Sequence, residues 1–203
     1  EGTVGNVAAF VLEPAQGWGG SIFPPEDFFP KLQQLCREKG ILFFADEVLT
    51  GMGRTGEWLC MNHWDVVPDI VTLGKSFGNG FPVTAMVVKE EHADALDKIS
   101  ASSSYGGNPM ACATALGVLD TYEEDGLLTR GASLADYWQE KVHALRDLEH
   151  VIDLRNLGLI AGIELKPREG APTARAFDAF LQAYDAGLLI RTTGDTIALS
   201  PPL

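Results

Sequence analysis

ILFFADEV (Ile41 to Val48), IVTLGK (Ile70 to Lys75) and VTAMVV (Val83 to Val88) are the runs on which the fold turns. The first two are nearly unbroken apolar stretches without alternation. That is the pattern of strands covered on both faces, so they predict an α/β fold with a mainly parallel sheet between helices. Only a glycine-rich loop joins the last two runs, so one strand there is expected to run antiparallel. Upstream, AAFVLE (Ala8 to Glu13) reads as a further short strand ending in an acid. PPEDFFPKLQQLCREKG follows it as a helix, with Pro24 and Pro25 near its start, Glu26 and Asp27 in its first turn and Gly40 at its stop. Phe28, Leu32, Leu35 and Cys36 are expected on its buried face, and Pro30 lies close enough to the start to be tolerated.

From Asn108 the pattern changes. NPMACATALGVLDTYEEDG reads as a helix packed through small residues, and GLLTRGASLADYWQEKVHALRDLEH as a longer amphipathic one. VIDLR, GLIAGIEL, a helix around Ala174 to Tyr184, LLIRT and TIALS then form a second, α+β unit. The boundary is placed near His150, giving 1–150 and 151–203. The chain opens just before a strand and stops in SPPL, and it reads as a piece of something longer.

The formal net charge of −13 disfavours nucleic acid and anionic membrane as partners. Three cysteines (Cys36, Cys60, Cys112) lack CxxC or Cys/His spacing, and His63, His92, His143 and His150 show no ligand spacing, so neither a disulfide framework nor a metal is expected. The first residues lack a signal-peptide pattern and no apolar stretch is long enough for a bilayer, which makes a cytoplasmic protein the default.

Open parallel sheets bind ligands beyond the carboxyl ends of their strands. Three such ends carry ionisable groups here: Glu13, the pair Asp46 and Glu47, and Lys75. Each closes an apolar run, so each side chain is expected at the rim of a dry core. Taken singly, each reads equally well as a solvated strand cap. An acid and a lysine on neighbouring strand ends point more firmly to a functional cleft. Lys75 sits in GKSFGNGFP, between Gly74, Gly78 and Gly80, which permit positive φ and close approach of backbone to a ligand. A desolvated lysine loses its proton readily and can be trapped by an aldehyde as a Schiff base; a surface lysine in a turn is the plainer alternative.

FFADEVLTGMGRTG, PDIVTLGKSFGNGFPV, SSSYGGNPMACATALGVLD and LRNLGLIAGIEL occur in that order. Together they resemble the signature blocks of class III pyridoxal-phosphate aminotransferases, in particular the C-terminal half, over essentially the whole chain. The resemblance implies a fold-type I large domain, running through a long linking helix to about residue 150, followed by an incomplete small α+β domain. It implies pyridoxal 5'-phosphate as cofactor. The lysine matching Lys75 would carry the cofactor as an aldimine and shuttle a proton, while the aspartate matching Asp46 would pair with the pyridine nitrogen and keep the ring an electron acceptor. Glu13, in the EP motif, would lie near the same pocket. Ser104 matches a hydroxyl residue, usually threonine, that reaches the cofactor phosphate of the neighbouring subunit; this implies a homodimer with shared active sites. Arg54, in GRTG, would bond loop carbonyls.

The departures bear on substrate. Leu49 stands where several relatives carry a glutamine, Trp18 where ornithine-type members carry a glutamate, and Ala198 where those members place a substrate arginine. Arg191 instead matches a mobile arginine of the branch that uses pyruvate, whose guanidinium fork suits a carboxylate. The resemblance therefore implies transfer of an amino group from an amine or ω-amino acid to a keto acid such as pyruvate, with Arg191 and Trp18 on the substrate side. Decarboxylating transaminases, aminomutases and racemases share the lysine and the aspartate, and those two residues do not separate them. A phosphoacceptor signalling domain fits less well, because Glu13 alone supplies little for magnesium. An inactive remnant serving as a dimerisation module is the remaining alternative. The family's phosphate loop and ring-stacking aromatic fall outside these 203 residues.

Overall fold

The computed structural model describes residues 6–95 and 103–203; Ser102, which opens the SSSYGGNP block, lies outside them. By contacts the chain divides into two compact units. One holds residues up to Pro14, Pro25–Met52 and Leu59–Leu127; the other holds Ala15–Pro24, Gly53–Trp58 and Leu128–Leu203.

In the first unit the elements are β1 (Ala9–Leu12), α1 (Phe28–Lys39), β2 (Leu42–Asp46), β3 (Ile70–Leu73), β4 (Ala85–Val88), α2 (Glu90–Ala93) and α3 (Pro109–Glu124). The strands form one sheet in the order β1-β2-β3-β4. β1 and β3 flank β2 in parallel, and β4 runs antiparallel to β3, as the short loop between them requires. The fold class is thus α/β with a parallel-dominated sheet.

Helix α1 starts at Phe28, so Glu26 and Asp27 precede its first turn, and Pro30 is its third residue, where no intrahelical N–H bond is lost. Its buried stripe is Phe29, Leu32 and Cys36. The expected face was rotated by one residue: Leu35 is exposed and Phe28 only edges the cluster. Phe29 has spacing i, i+3, i+7 to Leu32 and Cys36, whereas Leu35 falls about 60° off that stripe. These three meet Phe43, Ala45, Met61 and Val66 in the first core. Full burial of a phenylalanine such as Phe29 contributes about 2–3 kcal/mol. Gly40 ends the helix in the left-handed region (φ 65°), its N–H donating to the carbonyls of Arg37 and Cys36.

The two faces of β2 differ. Phe43 and Ala45 are buried, while Leu42, Phe44 and Asp46 on the other face are half-buried. On that second face Val11 is 57% and Met86 58% exposed. The strands were expected to be covered on both faces; among the described residues α1 covers one of them.

Asp69 ties the strands together. It accepts the Phe43 N–H at 2.8 Å and pairs with Lys89, while its own N–H donates to the Phe43 carbonyl at 2.8 Å. Burial alone would raise its carboxyl, but the Lys89 ammonium, the Phe43 N–H and His92 together hold it below the ordinary aspartate value.

The second unit contains α4 (Leu127–His143), β5 (Val151–Leu157), β6 (Ile160–Leu165), α5 (Ala174–Asp185), β7 (Arg191–Thr193) and β8 (Thr196–Leu199). Its sheet runs β5-β6-β8-β7, antiparallel throughout. Val142 of α4, Ala176 of α5 and Ala161, Ile163 and Leu165 of β6 form its core. The long helix read as a link therefore packs with this second sheet. The expected strand LLIRT is shorter, beginning at Arg191, with Leu188 and Leu189 exposed before it. Among the described residues no helix is long and apolar enough to cross a membrane.

Because Asp69 is held below its unfolded pKa, its stabilisation is complete above the ordinary value of 3.8 and is lost as pH falls through the folded value. Asp69→Asn should lower unfolding free energy by about 2 kcal/mol at neutral pH. In denaturant titrations the gap to the parent should close in acid below pH 3.8.

Candidate active site

The carboxyl ends of β1, β2 and β3 lie at one edge of the sheet because the three strands are parallel. Leu12 pairs with Ala45, so the next residues along are Glu13 and Asp46; Asp46 in turn pairs with Thr72, three residues before Lys75. All three expected groups thus gather at neighbouring strand ends, within one unit.

Asp46 is half-buried. Its Oδ1 accepts the Val48 N–H at 3.1 Å and the Thr72 hydroxyl at 3.2 Å. Oδ2 has no hydrogen-bond partner among the described residues. One oxygen is therefore fixed by the turn and by the neighbouring strand, and the other is free to accept from a ligand. Glu13 is half-buried beside it.

Lys75 opens a 3-10 turn, Lys75–Phe77, and is exposed. This differs from the dry rim expected of it. β3 ends at Leu73, and the turn carries the side chain clear of the apolar layer. The left-handed positions also differ from expectation. Gly74 is extended and Gly78 has negative φ, whereas Lys75 (φ 45°), Asn79 (φ 43°) and Gly80 (φ 99°) have positive φ. A lysine in that region costs of order 1 kcal/mol. Gly78 is required for another reason: a Cβ there would meet the Phe81 carbonyl oxygen at 2.2 Å and Val83 Cγ1 at 2.5 Å. The turn following Lys75 can be this tight only with glycine at 78.

Glu47, the second acid of the pair, does something else. It is 1% exposed. Its carboxylate accepts the Met61 N–H at 2.9 Å and the Thr50 hydroxyl, and its carbonyl accepts the Gly51 N–H at 2.8 Å. Burial pushes its pKa up, against the opposing pull of the Thr50 hydroxyl, the Met61 and Cys60 amides and His63. Glu47 closes the turn after β2 onto the 3-10 segment Cys60–Trp64, behind Asp46. Sequence reading paired it with Asp46 as a ligand-facing group, because adjacent residues at a strand end alternate in direction and sequence does not say which one faces inward.

Ser104 is exposed in the turn leading to α3. That helix is capped by Asn108, whose side chain accepts the Ala111 N–H at 3.0 Å, with Pro109 as its first residue.

In the second unit, Trp18 and Arg191 meet although they lie near opposite ends of the chain. The Arg191 guanidinium carbon is 5.5 Å from the Trp18 ring centroid, and Nη2 donates to the Gly17 carbonyl at 3.4 Å. Both side chains are exposed, Trp18 at 79%. Leu49 is half-buried and Ala198 is buried on β8. Arg54 donates to the Pro201 carbonyl, the structural task expected of it.

Asp69, Glu91 and His92 bring oxygen and nitrogen atoms within 4.8 Å of one another. Lys89 already pairs with Asp69, which makes the group an ion-pair cluster at the end of β4.

The family description "Aminotransferase class-III" matches residues 2–203. An omega-aminotransferase of Caulobacter vibrioides is 44% identical over 98% of this chain and 47% of its own length. A beta-alanine–pyruvate aminotransferase of Pseudomonas aeruginosa is 33% identical over 97% of this chain and 46% of its own. Among solved structures, the ornithine delta-aminotransferase of Plasmodium falciparum superposes with a TM-score of 0.89 at 35% identity, covering 97% of this chain and 51% of that one. The chain spans about half the length of the curated relatives it matches.

The cage around Glu47 makes its own prediction. Glu47→Ala strands the buried Thr50 and backbone donors that its carboxylate satisfies and should cost roughly 3 kcal/mol of stability. Glu47→Gln keeps an acceptor for the Met61 N–H. Since the folded pKa of Glu47 lies above its ordinary 4.5, its contribution is full below that pH and is lost as pH rises through the folded value. Thermal unfolding of Glu47→Gln should lack that decline, and an identical decline in both proteins would refute the assignment.

Proposed function

We propose that this chain, which belongs to the class III aminotransferases, supplies the cofactor lysine and the substrate-side arginine of a pyridoxal-phosphate-dependent transaminase. The observation that carries the reading is that Asp46 closes β2 and Lys75 follows the end of β3, its parallel neighbour, with one Asp46 oxygen anchored and one free among the described residues.

Pyridoxal phosphate, when bound, supplies an aldehyde for an amine to condense with and a ring that accepts the electrons of a deprotonated carbon. The residues present fit that group. The free Oδ2 of Asp46 is suited to hold a protonated ring nitrogen, and the hydrogen bonds to Oδ1 keep the carboxylate oriented for it. Lys75 provides the amine, exposed and carried on a turn that glycine keeps tight. With the cofactor bound, its Nζ would be the base that takes the proton from the substrate carbon and holds it for return to the adduct. Glu13 lines the same strand edge, and Ser104 offers a hydroxyl to a phosphate across a homodimer.

On the substrate side, Arg191 receives a carboxylate, with the Trp18 face beneath its guanidinium. The amino group moves from an amine or ω-amino acid to a keto acid such as pyruvate. The name of the omega-aminotransferase relative supports the donor class and that of the beta-alanine–pyruvate relative supports the acceptor, beside ornithine aminotransferases of similar identity. So do Leu49 and Ala198, which leave no glutamine or arginine at the positions an ornithine type would use.

Protein expressed from the whole gene, mixed with pyridoxal phosphate and reduced with borohydride, should carry a pyridoxyl group on Lys75 by peptide mass mapping. Lys75→Ala should carry none. Labels scattered over surface lysines would overturn the assignment. Asp46→Asn should retain cofactor within a few-fold yet lose about a hundredfold or more in kcat, as measured with amine and pyruvate.

A further inference from the structure

The QGWGGS loop (Gln16 to Ser21) carries Trp18, and one side chain of the second sheet holds its far end. Arg155 of β5 is 15% exposed at the side chain. Its Nε donates to the carbonyls of Gly20 and Ser21 at 3.0 and 3.1 Å, and Nη2 donates to the Gly20 carbonyl at 2.7 Å. Nη1 pairs with Asp153 and, at 2.7 Å, with Glu164 of β6. Every nitrogen of the guanidinium is thus engaged, with the two acids fixing the plane in which the other donors point.

The loop is shaped to meet it. Gly20 (φ 100°) and Ser21 (φ 55°) are consecutive left-handed residues, and Ser21 is buried. A Cβ on Gly20 would approach Thr196 Oγ1 to 3.0 Å and Arg155 Nη2 to 3.1 Å. On β6, a Cβ on Gly162 would meet the Gly20 carbonyl oxygen at 2.7 Å. At the near end, the Thr193 hydroxyl donates to the Trp18 carbonyl at 2.7 Å, two residues after Arg191 on the same strand. The loop is therefore pinned at Trp18, the residue against which Arg191 stacks, and again at Gly20 and Ser21 just beyond it.

We infer that Arg155 is a positioning residue for substrate-carboxylate recognition: it sets the conformation of the loop that presents Trp18 and the Gly17 carbonyl to Arg191. The inference rests on the reading of Arg191 as the carboxylate-binding residue. Arg191 is exposed and has a flexible stem, and its contacts with Trp18 and Gly17 define where its fork waits. Loss of the Arg155 clamp releases the two strained residues and disperses that geometry, without touching the strand ends that carry Asp46 and Lys75.

The test is a comparison of KM for pyruvate with KM for an aldehyde of similar length that lacks the carboxylate, in protein expressed from the whole gene. Arg155→Lys keeps the charge but loses the fork. It should raise KM for pyruvate about tenfold and leave the aldehyde's KM and kcat within about twofold. Thr193→Val breaks the other pin without disturbing a charge, and should raise pyruvate's KM in the same sense by a smaller factor. In an Arg191→Ala background, Arg155→Lys should add nothing further for pyruvate, since the two act through one interaction. A parallel rise for both acceptors, or none for either, would overturn the positioning role. Arg191→Ala separates the two readings. If it leaves pyruvate's KM unchanged, the substrate reading falls and the positioning role with it. If it raises that KM while Arg155→Lys and Thr193→Val do not, the positioning role alone falls.

Discussion

Parallel pairing of β2 with β1 on one side and β3 on the other aligns three strand ends at one edge, and the chemistry of the first unit depends on that register. A slip of one residue would turn Asp46 toward the α1 core and Phe43 and Ala45 away from it. The apolar cluster around Phe29 and Phe43 resists such a slip, because every member would lose its packing at once. Asp69 adds a polar lock at the opposite edge, bonding the start of β2 and the end of β4. Side-chain packing and one half-buried carboxylate thus fix the position of another, that of Asp46.

Two acids adjacent in sequence take opposite tasks. One oxygen of Asp46 accepts no hydrogen bond among the described residues, and Glu47 turns inward to satisfy a loop and a 3-10 segment. The buried acid is costly to ionise, and its hydrogen bonds offset that cost while holding rigid the turn from which Asp46 projects. In the second unit a comparable device recurs with the opposite charge. Arg155, flanked by acids, organises backbone carbonyls of a loop that has left-handed residues at its end.

Much of this was legible from residues alone. Unbroken apolar runs from Ile41 and Ile70 marked central strands, and the short glycine-rich connection marked β4 as antiparallel. Acids and a lysine closing those runs marked one end of the sheet. The helix stripe falls on Phe29 rather than Phe28 and omits Leu35, because FF and LC doublets make two neighbouring stripes nearly equal in apolar content. The exposure of Lys75 was not legible either, since strand length beyond the apolar run depends on the turn that follows.

Local sequence determined the strand and helix types, the parallel class and the identity of the groups at the strand ends, because hydrophobic period and chain connectivity act over a few residues. The tertiary structure alone decided which acid of the pair turns inward, the return of segments 15–24 and 53–58 to the second sheet, and the meeting of Trp18 with Arg191. Those outcomes rest on contacts between residues far apart in the chain, such as Arg155 with the Gly20 carbonyl, and such contacts leave no periodic trace in sequence.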